Sequence, residues 1–142
     1  MLRGARQIPV ARGSRDGSSL ADAQAALEAG EVVVIYPEGT VTKRKDHLPM
    51  EGKTGVARLA LETGVPVIPM ASWGSQAVWQ KSGPGSLRPG RPVLTEMREP
   101  LHLGTGDVSD TELVRTSTKQ VMAALTVLAE GLRDRYPARW RG

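Results

Sequence analysis

Residues 30–40 read Gly-Glu-Val-Val-Val-Ile-Tyr-Pro-Glu-Gly-Thr, and this stretch decides which fold we expect. Within it, residues 32–36 form an unbroken run of β-branched and aromatic residues, typical of a strand buried on both faces of a sheet. Pro37 ends the run because proline has no N–H to donate to a strand ladder. Residues 38–40 therefore follow the carboxyl end of the predicted strand, where open α/β sheets bind their ligands.

Glu38 is the first candidate site residue in this turn. A carboxylate beside the end of an apolar strand is costly to bury without a partner, so Glu38 is either solvated or faces a polar substrate. The turn alone leaves both interpretations open.

Short strands and helices alternate along the rest of the chain. The apolar patterns predict strands at residues 8–10, 32–36, 65–71 and 93–97, and helices at residues 19–29, at residues 54–63 and from residue 109 onward. A helix between two short strands favours a parallel pair with a right-handed crossover. Because 142 residues suit one domain, the sequence predicts a single α/β domain over residues 1–142, with a mixed, largely parallel sheet flanked by helices.

The ends of the first and last helices carry capping signals. Ser19 is expected to cap the first helix, and Ser109 forms a capping box with Glu112 for the last one. Residues 133–142 follow the last helix and are expected to be solvated and frayed, unless they rest on an anionic membrane.

Composition and charge exclude several classes of function. The chain has no cysteine, which excludes disulfides, thiol catalysis and cysteine-ligated metals. A net charge of +4 suits attraction to phosphates or to an anionic membrane surface, but it is too small to indicate nucleic-acid binding. No apolar run approaches the roughly 20 residues of a membrane span, and no signal peptide is visible. We therefore expect a cytoplasmic protein.

Two basic residues lie next to the predicted ends of secondary-structure elements. Arg12 follows the first strand. The sequence alone favours a solvated loop residue here. The alternative is that the guanidinium donates paired hydrogen bonds to a phosphate. Lys53 opens the second helix, where it is either a solvated lysine of the first turn or part of an anion site, since a helix amino terminus favours anions. The charged residues 43–47 are most simply a solvated turn; the alternative is a basic rim that receives a phosphate or the carrier of the acyl group.

Three segments in order resemble the motifs of the glycerolipid acyltransferases, the family of 1-acyl-sn-glycerol-3-phosphate acyltransferase. Residues 36–40 (YPEGT) resemble motif III, whose pattern is roughly Phe-Pro-Glu-Gly-Thr-Arg-Ser. Residues 4–12 (GARQIPVAR) look like motif II, and residues 65–69 (VPVIP) look like motif IV. Residues 53–61 (KTGVARLAL) are similar to the helix that links motifs III and IV. Val41 departs from the pattern, because the family often has arginine there.

This resemblance, which covers about residues 2–104, implies transfer of a fatty acyl group from acyl-CoA or acyl carrier protein to 1-acylglycerol-3-phosphate (lysophosphatidate). The product would be phosphatidate, in phospholipid biosynthesis. The resemblance implies no metal and no bound cofactor, since the acyl thioester is a co-substrate, and it implies peripheral membrane contact. The substrate-binding residues that it implies are Arg12, Glu38, Gly39, Thr40 and Lys53. The first two are expected to hold the lysophosphatidate.

The family's general base is a histidine held by an aspartate, in a His-x-x-x-x-Asp motif that precedes motif II. Residues 1–12 contain no such motif. His102 and Asp107 have this spacing, but they follow motif IV in a glycine-rich loop, so we interpret the match as coincidental and predict no catalytic residue. We therefore expect no turnover by this chain. We also expect exposed apolar surface beside motif II, because the family's preceding elements would cover it. The second hypothesis is a non-catalytic fragment that at most binds anionic lipid or another anionic ligand.

Residues 73–92 are irregular and carry Trp73 and Trp79 among many glycines, prolines and serines. These tryptophans either line an acyl-chain groove or touch lipid headgroups, or they pack over the edge of the sheet. The sequence leaves these alternatives open.

Overall fold

The computed structural model describes residue 8, residues 18–78 and residues 90–140 of the chain. The elements in these ranges are α1 (Ser18–Glu28), α2 (Gly55–Thr63), β1 (Met70–Trp73), α3 (Ser75–Val78), β2 (Leu94–Met97), α4 (Thr111–Arg135) and a 3₁₀ turn at Ala138–Trp140. This mixture of helices and strands confirms the predicted α/β class in its general form.

The sheet in the described ranges consists of β1 and β2, which pair antiparallel. The strand predicted at residues 65–71 is shifted toward its carboxyl end and becomes β1. The cause is that Pro66 and Pro69 have no N–H for a ladder. Ahead of β1, Val67 forms only an isolated bridge with Leu101.

Residues 32–36 do not join this sheet and have no regular secondary structure. Val32 is 89% exposed and Tyr36 is 82% exposed. A strand that is apolar on both faces needs neighbours on both edges and cover on both faces, and among the residues that the structure describes β1 and β2 pair only with each other. The predicted parallel sheet is therefore not confirmed; most of the predicted partner, residues 8–10, lies outside the described residues.

Glycines end the first two long helices, as the sequence predicts. Gly30 has a φ of +78°, and its N–H donates to the Leu27 carbonyl oxygen at 2.9 Å. Gly64 has a φ of +70°, and its N–H donates to the Ala60 carbonyl oxygen at 2.8 Å. Both residues take the left-handed conformation that closes a helix without a Cβ penalty.

The predicted starts of two helices are corrected. α1 begins one residue before Ser19, which therefore lies inside the helix. α4 is capped by Asp110 instead of Ser109, because the extended backbone of Asp110 aims its carboxylate at the first turn. This carboxylate accepts the N–H groups of Glu112 and Leu113 at 2.9 and 3.1 Å.

One part of the core lies between α4 and the sheet and is joined by a loop residue, and a second part is formed by the buried α2 residues Ala57, Leu59, Ala60 and Leu61, which pack toward α4. The buried cluster consists of Leu48, Trp73, Ala129, Leu132 and Tyr136. Trp73 is the last residue of β1, and its side chain packs in this cluster with residues of α4, so it is part of the core. Trp79 lies outside the described residues.

The expectation of a frayed tail from residue 133 is wrong for the first part of the tail. α4 continues to residue 135, and Tyr136 is only 2% exposed. The Tyr136 hydroxyl donates to the carbonyl oxygen of Pro92 at 3.0 Å. Burial of this ring removes a large apolar area from water while its hydroxyl keeps a partner, and both effects oppose fraying.

Candidate functional site

The turn after residues 32–36 is closed by a backbone hydrogen bond. The Gly39 N–H donates to the Tyr36 carbonyl oxygen at 3.0 Å, so that Pro37 and Glu38 are the central residues of a β-turn. Proline presets φ for the first of these positions. Gly39 has a φ of +62°, a conformation that glycine adopts without strain. The Pro-Glu-Gly sequence therefore builds the turn and places Glu38 within it.

Residues 50–53 hold this turn through two hydrogen bonds. The Met50 N–H donates to Glu38 Oε2 at 2.9 Å, and the Lys53 N–H donates to the Pro37 carbonyl oxygen at 2.8 Å. Both donors are backbone groups, so the segment fixes the Glu38 carboxylate through the main chain. Within the described ranges, the other carboxylate oxygen of Glu38 accepts no hydrogen bond.

The side chain of Lys53 lies over Gly39. A Cβ built on Gly39 would be 3.2 Å from Lys53 Nζ and 3.3 Å from Lys53 Cε. Lys53 precedes α2 by two residues, and its ammonium approaches the turn because residue 39 has no side chain. The part of the chain that the structure describes provides no salt bridge to this exposed ammonium.

The charged loop before this segment has a defined structure. Arg44 donates to Asp46 from Nε and Nη2 at 2.8 and 2.5 Å, and this interaction holds the pKa of the Asp46 carboxyl well below its usual range. The Thr42 hydroxyl donates to the Leu48 carbonyl oxygen at 2.9 Å, and the Leu48 side chain lies in the core. The sequence predicted residues 43–47 as a solvated turn. In the structure Leu48 anchors the end of this turn in the core, directly ahead of residues 50–53.

The structure brings three of the predicted substrate-binding residues together. Glu38, Gly39 and Lys53 meet at one turn, and Thr40 follows them with an exposed side chain. Arg12 lies outside the described residues. The turn therefore presents one cation and one carboxylate oxygen, which suit a ligand that carries both an anionic group and a hydroxyl.

His102 and Asp107 are both exposed. Asp107 accepts the Ser109 N–H at 2.8 Å and the Ser109 hydroxyl at 2.7 Å, and these bonds lower the pKa of the Asp107 carboxyl. Across the residues that the structure describes, no hydrogen bond joins Asp107 to His102. Asp107 thus shapes the approach to α4, and the interpretation of the pair as coincidental stays a prediction.

Two contributors to the site are not among the predicted residues. Met50 acts through its backbone N–H, which no side-chain pattern reveals. Leu48 anchors the loop, and its signal was present in the sequence, because it is the first apolar residue after the charged residues 43–47.

The described residues carry neither a cluster of metal-binding side chains nor a membrane-spanning helix. No group of three or more histidine, aspartate or glutamate side chains there could hold a metal ion. None of the helices in these ranges combines the length and apolar character needed to cross a membrane.

Comparison with known proteins identifies the family. The family profile described as Acyltransferase matches residues 1–73, which is just over half of the 142 residues. A 1-acyl-sn-glycerol-3-phosphate acyltransferase from Cocos nucifera is 35% identical over 60 residues, covering 42% of this chain and 19% of the relative. The chain thus spans about a fifth of the length of that relative. No solved structure matches the chain. The family match extends through the Pro-Glu-Gly turn and Lys53, and the chain belongs to the Acyltransferase family.

Proposed function

We propose that this chain binds the acceptor in an acyltransferase of the 1-acylglycerol-3-phosphate O-acyltransferase type, acting as one acyltransferase domain over residues 1–142. The reaction transfers a fatty acyl group from acyl-CoA or acyl carrier protein to lysophosphatidate. One observation carries the proposal: Lys53 lies over Gly39, in the same turn that holds the Glu38 carboxylate.

Lysophosphatidate carries the two groups that this turn suits. Its phosphate is an anion for the Lys53 ammonium, and its free hydroxyl can donate a hydrogen bond to the unoccupied oxygen of Glu38. Binding both groups would orient the hydroxyl oxygen that attacks the acyl thioester. Arg12 is proposed as a second phosphate ligand. Thr40 is proposed to contribute its hydroxyl.

The family match and the name of the Cocos nucifera relative support this substrate class. The acyl thioester brings the reactive group, so the proposed reaction needs no metal and no further cofactor. Because the acceptor is a lipid, we also propose peripheral binding at the cytoplasmic face of an anionic membrane. The exposed Lys43 and Lys45 would contribute attraction to the surface there.

The test is a calorimetric titration of the purified chain with a short-chain lysophosphatidate below its micelle concentration. Lys53→Gln should weaken binding about tenfold, as expected for loss of a charged hydrogen bond of roughly 1.5 kcal/mol. Lys45→Gln removes an equal charge from an exposed position outside the turn and should leave binding within about twofold. Equal affinities for all three proteins would refute the acceptor site.

The second candidate is non-catalytic binding of an anionic lipid, and the arrangement of His102 favours it. The aspartate at the family's spacing, Asp107, is engaged by Ser109, so the described ranges contain no histidine–aspartate hydrogen bond of the general-base type. A thioester-release assay with lysophosphatidate should therefore give no turnover with this chain alone. Turnover that His102→Ala abolishes would identify His102 as the base and exclude the non-catalytic candidate.

A further inference from the structure

Residues 32–36 present an apolar surface whose exposure alternates along the chain. Val32, Val34 and Tyr36 are 89%, 69% and 82% exposed, whereas Val33 is half-buried and Ile35 is 37% exposed. Alternate residues of an extended strand point to opposite sides, so the three most exposed side chains share one side. The run, which contains no charged residue, therefore has the pattern of a strand with one uncovered face.

The backbone of this run is also unpaired within the part of the chain that the structure describes. None of the N–H groups of residues 32–36 donates a hydrogen bond there. The φ angles of these residues are all negative, as a strand requires. A β-branched run with unpaired N–H groups is a template for pairing with another strand.

These N–H groups favour a strand over lipid as the occupant of the surface. In a bilayer each unpaired N–H would lack an acceptor, which is costly, whereas a strand supplies a carbonyl oxygen for it. Glu31 and Glu38 flank the run, and anionic headgroups repel carboxylates. Within the described residues β1 and β2 pair only with each other, so neither of them is the missing strand.

We infer that residues 32–36 pair antiparallel with the same residues of a second copy of this chain and form a two-fold symmetric dimer. The inference goes beyond the proposed function and does not depend on it. A two-fold contact needs a surface that is complementary to itself, and an uncharged strand paired antiparallel with its copy meets that need. The net charge of +4 on each copy opposes association through the charged surfaces, which leaves this run as the favoured contact.

The register follows from the sidedness of the run. Pairing centred on Val34 places Val32 opposite Tyr36, and such an aromatic–β-branched pair is a favourable cross-strand contact. Val33 then lies opposite Ile35, so the less exposed residues also pair with each other. A slip of one residue would place exposed residues opposite the less exposed set.

The residues on either side limit the interface to residues 32–36 of each copy. Pro37 has no N–H for a ladder, and Gly30 has a φ of +78°, outside the strand region. In this register Glu31 lies opposite Pro37. Glu38 lies opposite Gly30, so the carboxylates of the two copies do not face each other. So short a pairing buries less than the roughly 1,200 Å² of a stable interface, and we expect a weak dimer that dissociates on dilution.

Sedimentation equilibrium of the 142-residue chain from about 10 to about 500 µM, a range suited to a small interface, tests the inference. The average mass should rise from that of one chain toward that of two. Val34→Lys puts a charge opposite its own copy, at a position exposed in the monomer, and should weaken dimerisation at least about tenfold. Met97→Lys adds the same charge to β2 at a similarly exposed apolar position and should leave the dimer unchanged.

A mixture of two variants tests the register and the folding of each variant together. Val34→Glu alone should also stay monomeric, because like charges again meet at the centre of the pair. Mixed with Val34→Lys it should dimerise, because opposite charges then lie opposite each other. Recovery in the mixture would show that both variants are folded.

Four results would overturn the inference: a wild-type chain that stays monomeric throughout, a mass that grows beyond the dimer, equal weakening by Met97→Lys and Val34→Lys, or a mixture that stays monomeric. Lipid as the occupant would give a monomeric chain whose binding to neutral phosphatidylcholine vesicles is lost in Val34→Lys. Cover by another segment of the same chain would give slow amide exchange of residues 32–36 that is independent of protein concentration. Either of these outcomes would also overturn the inference.

Discussion

The two tyrosines of this chain occupy opposite environments. Tyr36 ends the most apolar run of the sequence and is 82% exposed, whereas Tyr136 follows a charged helix end and is 2% exposed. Tyr136 is buried because β1 and α4 surround it and Pro92 accepts its hydroxyl hydrogen bond. An apolar side chain is thus buried only where neighbouring elements cover it, whatever the character of its sequence neighbours. This contrast separates a packed scaffold, built on β1, β2 and α4, from a largely exposed segment, residues 32–53, that carries the candidate site and is anchored in the core by Leu48.

The two regions should differ most in how much stability is lost when each tyrosine is replaced by alanine. Tyr136→Ala should lower the free energy of unfolding by about 3–5 kcal/mol, because it leaves a cavity in the core. Tyr36→Ala should change it by less than about 0.5 kcal/mol. Urea unfolding followed by circular dichroism measures both values, and similar losses for the two variants would show that Tyr36 is packed in solution.

Substitutions at two glycines separate the effect of backbone strain from the effect of the Lys53 contact on ligand binding. Gly39 and Gly30 have φ values of +62° and +78°, so alanine at either position should cost about 1–2 kcal/mol of stability. A Cβ at position 39 would meet the Lys53 side chain, whereas a Cβ at position 30 would have nothing within 4 Å. Gly39→Ala alone should therefore weaken lysophosphatidate binding. An equal loss of affinity in Gly30→Ala would mean that strain, and not the Lys53 contact, controls the site.

The smallest expected effect concerns Asp46 in the loop of the exposed segment. Its pKa is lowered by hydrogen bonding to Arg44, so the folded state binds the Asp46 proton more weakly than the unfolded state does. The resulting stabilisation is present above the unfolded pKa of about 3.9 and is lost as the pH falls from there toward the lower folded pKa. The stability difference between wild type and Asp46→Asn should thus shrink from pH 6 to pH 3. A stability difference that stays constant over this range would show that the Arg44–Asp46 interaction does not stabilise the folded state.

The sequence predicted the helices and the candidate turn better than the sheet. Gly30 and Gly64 marked helix ends by a local rule, and the Pro-Glu-Gly signal predicted the turn, because such features depend on neighbours in the chain. The strand expected at residues 32–36 depends on partners distant in sequence, and β1 and β2 do not supply them in the described residues. Met50 escaped prediction since any residue with a backbone N–H could make its contact with Glu38.

Hydrogen–deuterium exchange of the wild-type chain, with and without short-chain lysophosphatidate, tests the division into scaffold and site most directly. We predict that amides of α4 exchange slowly in both conditions, because they lie in the packed scaffold. The amides of residues 38–53 should exchange faster without ligand and slow about tenfold with it, equivalent to roughly 1.4 kcal/mol of added protection. Unchanged exchange over residues 38–53 at saturating lysophosphatidate, or protection confined to α4, would contradict the assignment of the Glu38–Lys53 turn as the acceptor site.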